Sequence, residues 1–440
     1  MSHKTLVLLL LLVTSLLPAW GRQRPYVETT QEADLTSPCM YLYPAGQPQK
    51  VTAPDELDVR SCDLSNWDFR PYSALELADV LTYDSKTLFP KAEYLPRNFD
   101  PERTLLHGTN PGLSIRKLHK EGIDGRGIAV AIIDENLLTT HQEYEHNLVM
   151  YQDLADYYGV PADTNATAAA SILVGQTVGV APRARLYHFA VEAKEKNNIL
   201  DAMPFVQALE QIMEINSKRP PRFQIKVVSI AVEFGPQDDG FEAFMEVRRK
   251  LEKSGTVVFT ANITAPLSRI HAWDDPDNSR RYCRPATFLD KTEYYPEYER
   301  AMEHHLLFAP ADYRVVASPT GPEDYVQFAQ GGEAWTVPYI AGLYTLGLQV
   351  NPNLTKWGFL KAWRETAENK KCLYSGVTFP ADNFPNPEKL IHKLQQAAQP
   401  KTSTENADEI VAAPRAHGRP ARKGPRPLWR GKGRPASLTK

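Results

Sequence analysis

From residue 112 onward, short apolar runs alternate with longer segments of helical period. Ile128–Ile133, Ala184–Ala190, Ile225–Ala231 and Thr256–Ala261 carry apolar side chains on both strand faces, which predicts strands of a covered, parallel sheet. Leu113–Lys120, Ala166–Gly175, Ile199–Asn216, Phe241–Ser254 and Thr355–Glu368 predict helices between and around them. A further buried helix is predicted after Gly331-Gly332, where paired glycines break the chain before a small and apolar run to Val350. Strands alternating with helices in this way predict parallel crossover units and an α/β class. Ligands of such sheets sit at strand carboxyl ends, where Asp134, Ala231 and Asn262 fall.

Outside that region the pattern changes. Residues 22–108 lack helical period and are rich in Pro, Asp and Tyr. A five-residue rhythm in Leu57–Phe69 resembles two turns of a pentapeptide coil. Two turns are too few for a solenoid, so an irregular extension packed on the main domain is the stronger expectation. Residues 265–325 predict a loop-rich excursion with a hairpin. Beyond residue 396 the Pro, Gly and Arg alternation cannot bury a core and predicts disorder.

The N-terminus carries Lys4, an apolar run Leu6–Leu17 and small residues Ala19 and Gly21, the pattern of a cleaved signal peptide. The run is too short to span a membrane; a retained anchor is the alternative. Secreted or extracytoplasmic localisation follows, with no membrane span after cleavage. The expected organisation is a signal peptide at 1–21, an N-terminal extension at 22–108, the main domain at 109–395 and a basic tail at 396–440. Export permits disulfides among the four cysteines, for which three pairings are open. Cys39–Cys62 and Cys283–Cys372 are favoured, one local and one stapling distant loops, with free thiols as the alternative. Their spacing fits no zinc site, and no metal site is assigned.

Charge is uneven. The chain has a net charge of −3, yet residues 415–440 hold nine Lys or Arg and no acid. That tail could contact a polyanion, or be a solvated end.

Four stretches, in order, resemble the subtilisin-like serine peptidases. Asp124-Gly125-Arg126-Gly127 with Ile128–Asp134 is similar to the family's strand bearing the triad Asp. His141-Gln142-Glu143-Tyr144 is similar to the stretch that follows it. Gly179–Tyr187 is similar to the segment after the histidine helix, and Gly332–Gly342 to the nucleophile turn, with Asn351–Thr355 continuing it. The resemblance covers roughly residues 112–368 and implies a three-layer α/β fold with a mostly parallel central sheet. It also implies a Ser nucleophile, a His base and an Asp that orients the His. Here Asp134 keeps the Asp position, Asn165 stands at the His position and Ala334 at the Ser position. Asn cannot take and return a proton near neutral pH, and Ala has no nucleophilic atom. In subtilisin itself, losing Ser or His costs on the order of 10⁶-fold in kcat, a figure that belongs to subtilisin and not to this chain.

Ser229-Ile230-Ala231 stands where the family has its substrate-binding Ser-Leu-Gly, and the Ala231 methyl narrows the pocket floor. Asn262 matches the oxyanion Asn, two residues out of spacing. His141, His188, Ser171 and Ser229 are read as packing residues that do not rescue the site. Trp335 and Glu333 are expected to fill the cleft. Asn165, Asn262 and Asn353 open glycosylation sequons, read as chance. No cofactor is expected; calcium enters only through the resemblance. The expected function is a secreted pseudoprotease that binds an extended peptide or protein, added as a strand along the Ile225–Ala231 edge. The alternatives are an active serine endopeptidase with a displaced nucleophile, or a surface-attachment protein acting through its tail.

Overall fold

The computed structural model of the chain describes residues 27–34, 57–197, 199–285, 306–374 and 376–399. The chain divides into units Met1–Gln399 and Pro400–Lys440, and every described residue belongs to the first. The signal-peptide segment, Cys39 and with it the Cys39–Cys62 pairing, and the basic tail beyond Gln399 lie outside the described residues. None of the described helices is long and apolar enough to cross a membrane.

The strands are β1 Leu57–Asp58, β2 Leu81–Asp84, β3 Ala129–Asp134, β4 Leu148–Asp153, β5 Arg185–Ala190, β6 Glu195–Lys196, β7 Ile199–Leu200, β8 Ile225–Ile230 and β9 Val257–Thr260. After these come β10 Thr264–Arg269, β11 Tyr282–Pro285, β12 Leu307–Pro310, β13 Arg314–Ala317, β14 Tyr325–Phe328, β15 Glu368–Tyr374 and β16 Val377–Phe384. The helices are α1 Ala74–Val80, α2 Pro101–Gly108, α3 Ile115–Lys120, α4 Thr164–Val174, α5 Met203–Ser217, α6 Phe241–Lys253, α7 Thr336–Val350, α8 Lys356–Thr366 and α9 Pro387–Ala398.

A five-stranded sheet in the order β4-β5-β3-β8-β9 forms the middle layer, and every neighbouring pair in it is parallel. Its period of two sorts side chains to opposite faces. Ala129, Ala131 and Ile133 join a core with Phe205, Leu209 and Phe244 of α5 and α6. Val130 and Ile132 join the larger core with Ile172 of α4 and Ile340 of α7. The three-layer α/β arrangement expected from the sequence is the one the chain adopts, with α4 and α7 packed together on the second face. Gly342 of α7 is required by that contact, because a Cβ there would lie 2.5 Å from Val180 Cβ.

Helix α5 starts four residues later than the periodicity predicts. Ile199–Leu200 pairs instead with Glu195–Lys196, and Pro in the first turn fixes the start at Met203. The excursion holds more sheet than a single hairpin. β10 lies between β11 and β12, while β13 and β14 form an antiparallel pair. The N-terminal extension is irregular, and its apolar rhythm reflects burial: Leu57, Val59, Cys62, Leu64 and Phe69 pack with α1 and β2 into a satellite core. Through β2, which pairs antiparallel with β14, the extension is stitched to the main body. Cys283 and Cys372 form the disulfide favoured from sequence, with Cα atoms 5.0 Å apart, joining β11 to β15.

Candidate functional site

Three elements end at one cleft. β3 delivers Asp134 at its carboxyl end. Asp163 caps α4 by accepting the N–H groups of Asn165 (2.7 Å) and Ala166 (2.9 Å), which presents Asn165, an exposed residue, on the first turn. The Gly331 turn is held by its N–H donating to Asp312 Oδ1 at 2.7 Å. Glycine is required there because a Cβ would meet the Ala311 carbonyl oxygen at 2.3 Å. Beyond that turn Ala334 sits in a short 3₁₀ turn (Glu333–Trp335) that runs into α7. Asp134, Asn165 and Ala334 all line a cleft of about 420 Å³, together with Glu135, Ala231, Val232, Phe328, Gln330 and Trp335.

Trp335 is 3 % exposed and meets Phe328 edge-on, ring centroids 4.9 Å apart. It forms a wall of the cleft and leaves it open, so the expected filling by Trp335 does not occur. The Glu333 side chain lies outside the described residues.

Two other expectations change. β8 is an interior strand, paired with β3 on one side and β9 on the other, so the Ile225–Ile230 edge cannot take an added strand. Ser229 and Ile230 are buried within that sheet. Only Ala231 and Val232, just past the strand, face the cleft. Asn262 is not among the residues lining the cleft. Its Nδ2 donates to the Phe234 carbonyl at 2.8 Å, and its Oδ1 accepts the Phe234 N–H (3.1 Å) and the Thr260 hydroxyl (3.0 Å). It pins the loop after β8 with the amide an oxyanion would need.

The candidate rescue residues are committed elsewhere. Ser171 Oγ donates to the Ala168 carbonyl at 2.7 Å and accepts the Ala317 N–H at 3.1 Å. His141 Nε2 donates to the Asp324 carbonyl at 2.7 Å, and its Nδ1 accepts the Glu143 N–H at 3.1 Å. His188 Nε2 donates to the Glu135 carbonyl at 2.7 Å, which makes it the Nε2–H tautomer. It stacks on Tyr151 at 5.7 Å, and burial depresses its pKa to about 4, so it is neutral.

The sequence did not single out Glu135 or Asp163. Their carboxyls share a hydrogen bond, and burial, followed by the Asp163 charge, raises the Glu135 pKa to about 7. Burial raises Asp134 to about 7 as well, against a stabilising bond in which the Glu135 N–H donates to Asp134 Oδ1 at 2.9 Å. The Asp134-Glu135 doublet was visible as a strand-end acidic pair, but the contact with Asp163 spans the fold. Among the described residues no group of three or more His, Cys, Asp and Glu side chains is placed to hold a metal ion.

These shifts fix a pH dependence. Asp134 and Glu135 keep a proton to about pH 7 when folded, while free Asp and Glu release it near pH 4. The folded state binds more protons between those limits, so their contribution to stability falls as pH rises through that window. His188 acts in the opposite sense, with stability rising from about pH 4 to its unfolded pKa near 6.5. Asp134→Asn removes one of the two acidic contributions. Relative to the wild type, the variant should gain stability between pH 5 and pH 8 in urea unfolding. An unchanged difference would mean that the Asp134 carboxyl is in water.

No family model matches the chain. Among solved structures it is similar to the prenylagaramide maturation protease PagA (16 % identity, TM-score 0.45, over 64 % of this chain and 98 % of that one). It is also similar to the subtilase cytotoxin SubAB assembly (12 %, 0.47, over 66 % and 96 %) and to the patellamide maturation protease PatG (13 %, 0.42, over 64 % and 92 %). The chain's own sheet order, its flanking helices and the meeting of Asp134, Asn165 and Ala334 at one cleft give it a subtilisin-like three-layer fold.

Proposed function

We propose that the chain is a secreted subtilisin-like domain that binds an extended peptide or protein segment without cleaving it. The observation that supports this reading is the content of the cleft: Asp134, Asn165 and Ala334, which the resemblance sets at the Asp, His and Ser positions, line it together, and among the described residues that line it none has a hydroxyl, thiol, imidazole or amine. Acyl transfer needs a nucleophile within hydrogen-bond reach of a base. The open volume beside Trp335 and the backbone at Ala231–Val232 supply a place for a short extended segment to lie. Because β8 is closed on both edges, the contact is with the stretch past its carboxyl end and with the Gly331–Gly332 turn.

The test is retention. Immobilised mature chain, challenged with a mixture of unstructured peptides, should hold a subset and release it intact, as read by mass spectrometry. Ala231→Trp, which fills the cleft from its floor, should lower retention at least tenfold. Equal retention by wild type and Ala231→Trp would remove the cleft from the account.

A further inference from the structure

Residues 27–34 cross the outside of the body as a segment that joins no sheet. Among the described residues its backbone pairs only through an isolated parallel bridge, Gln31 with Pro161. Val27, Thr30 and Ala33 are half-buried, and the residues between and beyond them are exposed. A reciprocal pair of threonines fastens it. Thr30 Oγ1 donates to the Leu137 carbonyl at 2.7 Å and accepts the Thr139 N–H at 2.9 Å. Thr139 Oγ1 donates to the Glu28 carbonyl at 2.8 Å and accepts the Thr30 N–H at 3.1 Å. Two backbone bonds add to the clasp: the Ala162 N–H donates to the Gln31 carbonyl at 2.8 Å, and the Ala33 N–H to the Pro319 carbonyl at 2.9 Å.

The two stretches tied in this way carry the rim of the cleft. Leu137 and Thr139 follow Asp134 and Glu135 out of β3, and Ala162 immediately precedes Asp163, which caps α4 and presents Asn165. Asn136, 2 % exposed, locks the same seam from within. Its Nδ2 donates to the Val160 (3.2 Å) and Pro161 (2.8 Å) carbonyls, and its own carbonyl accepts the Asp163 N–H at 2.7 Å. Residues 27–34 clip the seam from outside, and the Glu135–Asp163 carboxyl contact lies across it. A segment held by a few hydrogen bonds, with little burial of its own, opens well below the free energy of global unfolding. Its departure is felt by the body, because Leu137 and Thr139 are 0 % and 5 % exposed. The Leu137 carbonyl and the Thr139 N–H then lose their partner, and the loop must move to bring them to water. We propose that residues 27–34 are a detachable strap whose Thr30–Thr139 clasp holds the rim of the cleft in register, so that the cleft keeps its form only while the strap is seated. Thr30 is on this account a positioning residue, and strap and rim are coupled whether or not the cleft binds peptide.

Hydrogen exchange of the full mature chain, resolved to single amides, tests the coupling at positions the strap does not touch. Thr30→Val keeps the side chain's shape and removes the hydroxyl at the centre of the clasp. The amides of Asp163, Asn165 and Ala166 are bonded to the Asn136 carbonyl and to the Asp163 carboxyl. In the variant they should exchange at least about tenfold faster than in the wild type, a larger factor than at Val227 and Val228 in β8. Thr30→Ser, which restores the hydroxyl, should return the rim amides to wild-type rates. Unchanged rim amides in Thr30→Val would overturn the proposal. So would an equal acceleration at the rim and in β8, which is a uniform loss of stability. Rim amides as fast in Thr30→Ser as in Thr30→Val would also overturn it, because the lost methyl packing and not the clasp would then be responsible.

Discussion

Asn165→His combined with Ala334→Ser is expected to give the chain a serine-dependent peptidase activity that neither substitution gives alone. The scaffold for it is present: β3 ends at Asp134, the capped first turn of α4 presents residue 165, and residue 334 enters α7 across the same cleft. A hydroxyl without a base, or a base without a hydroxyl, lacks the proton transfer that acyl formation needs. The double variant should label with a fluorophosphonate and turn over casein at least about 10²-fold faster than either single variant. Full activity should not return. The Asn262 amide is held by Phe234 and Thr260, and a missing oxyanion donor costs on the order of 10²–10³-fold in kcat. The assay belongs at pH 8 to 9, because Asp134, with its pKa raised to about 7 by burial, must be ionised to support an imidazolium. A folded double variant that stays unlabelled would show that these positions do not form a working triad geometry.

Glu143→Ala should destabilise the fold by about 3 kcal/mol. This carboxyl is 1 % exposed and accepts four hydrogen bonds: the Thr177 N–H (2.9 Å) and hydroxyl (2.5 Å), the Val178 N–H (3.3 Å) and the Tyr325 hydroxyl (2.6 Å). It ties the turn after β3 to the loop after α4 and to β14, three segments that share no strand pairing. Removal leaves the buried Val178 N–H and its neighbours without an acceptor, the costly case for a hydrogen bond. Glu143→Gln, which still accepts through one oxygen, should lose about half as much. Urea unfolding at pH 7 reads both, and a loss below about 1 kcal/mol for the alanine variant would mean that water replaces the carboxylate.

How much of this was legible depends on where each signal lies. β3, β5, β8 and β9 are apolar on both faces because helices cover both, and that density survives in the sequence. β4 does not show, because it is an edge strand in which Leu148 alone is buried, so Val149-Met150-Tyr151-Gln152-Asp153 reads as a mixed loop. α9 also went unread. It begins with an Asn386 cap and Pro387 at a point where no motif directs attention. The bond between the N-terminal extension and the body rests on Val326 opposite Asp84 and Gln327 opposite Tyr83, a long-range register that no local pattern encodes.

The site divides the same way. Asp134 and Ala334 could be singled out because each sits in a stretch with Gly or Pro landmarks, and Asn165 because Asn165–Ser171 resembles the family's histidine motif. The carboxyl contact between Glu135 and Asp163 joins two loops and has no such landmark. The closure of β8 by β9 was equally hidden, since an apolar run does not say which of its edges is free.

The central claim is that the cleft is intact but does not cut. Purified mature wild-type chain, incubated with a fluorophosphonate probe, casein and fluorogenic peptides at pH 8, should show no labelling and no turnover above buffer. Inhibitor-sensitive turnover that co-purifies with the chain, with label mapped to one of its serines, would contradict it.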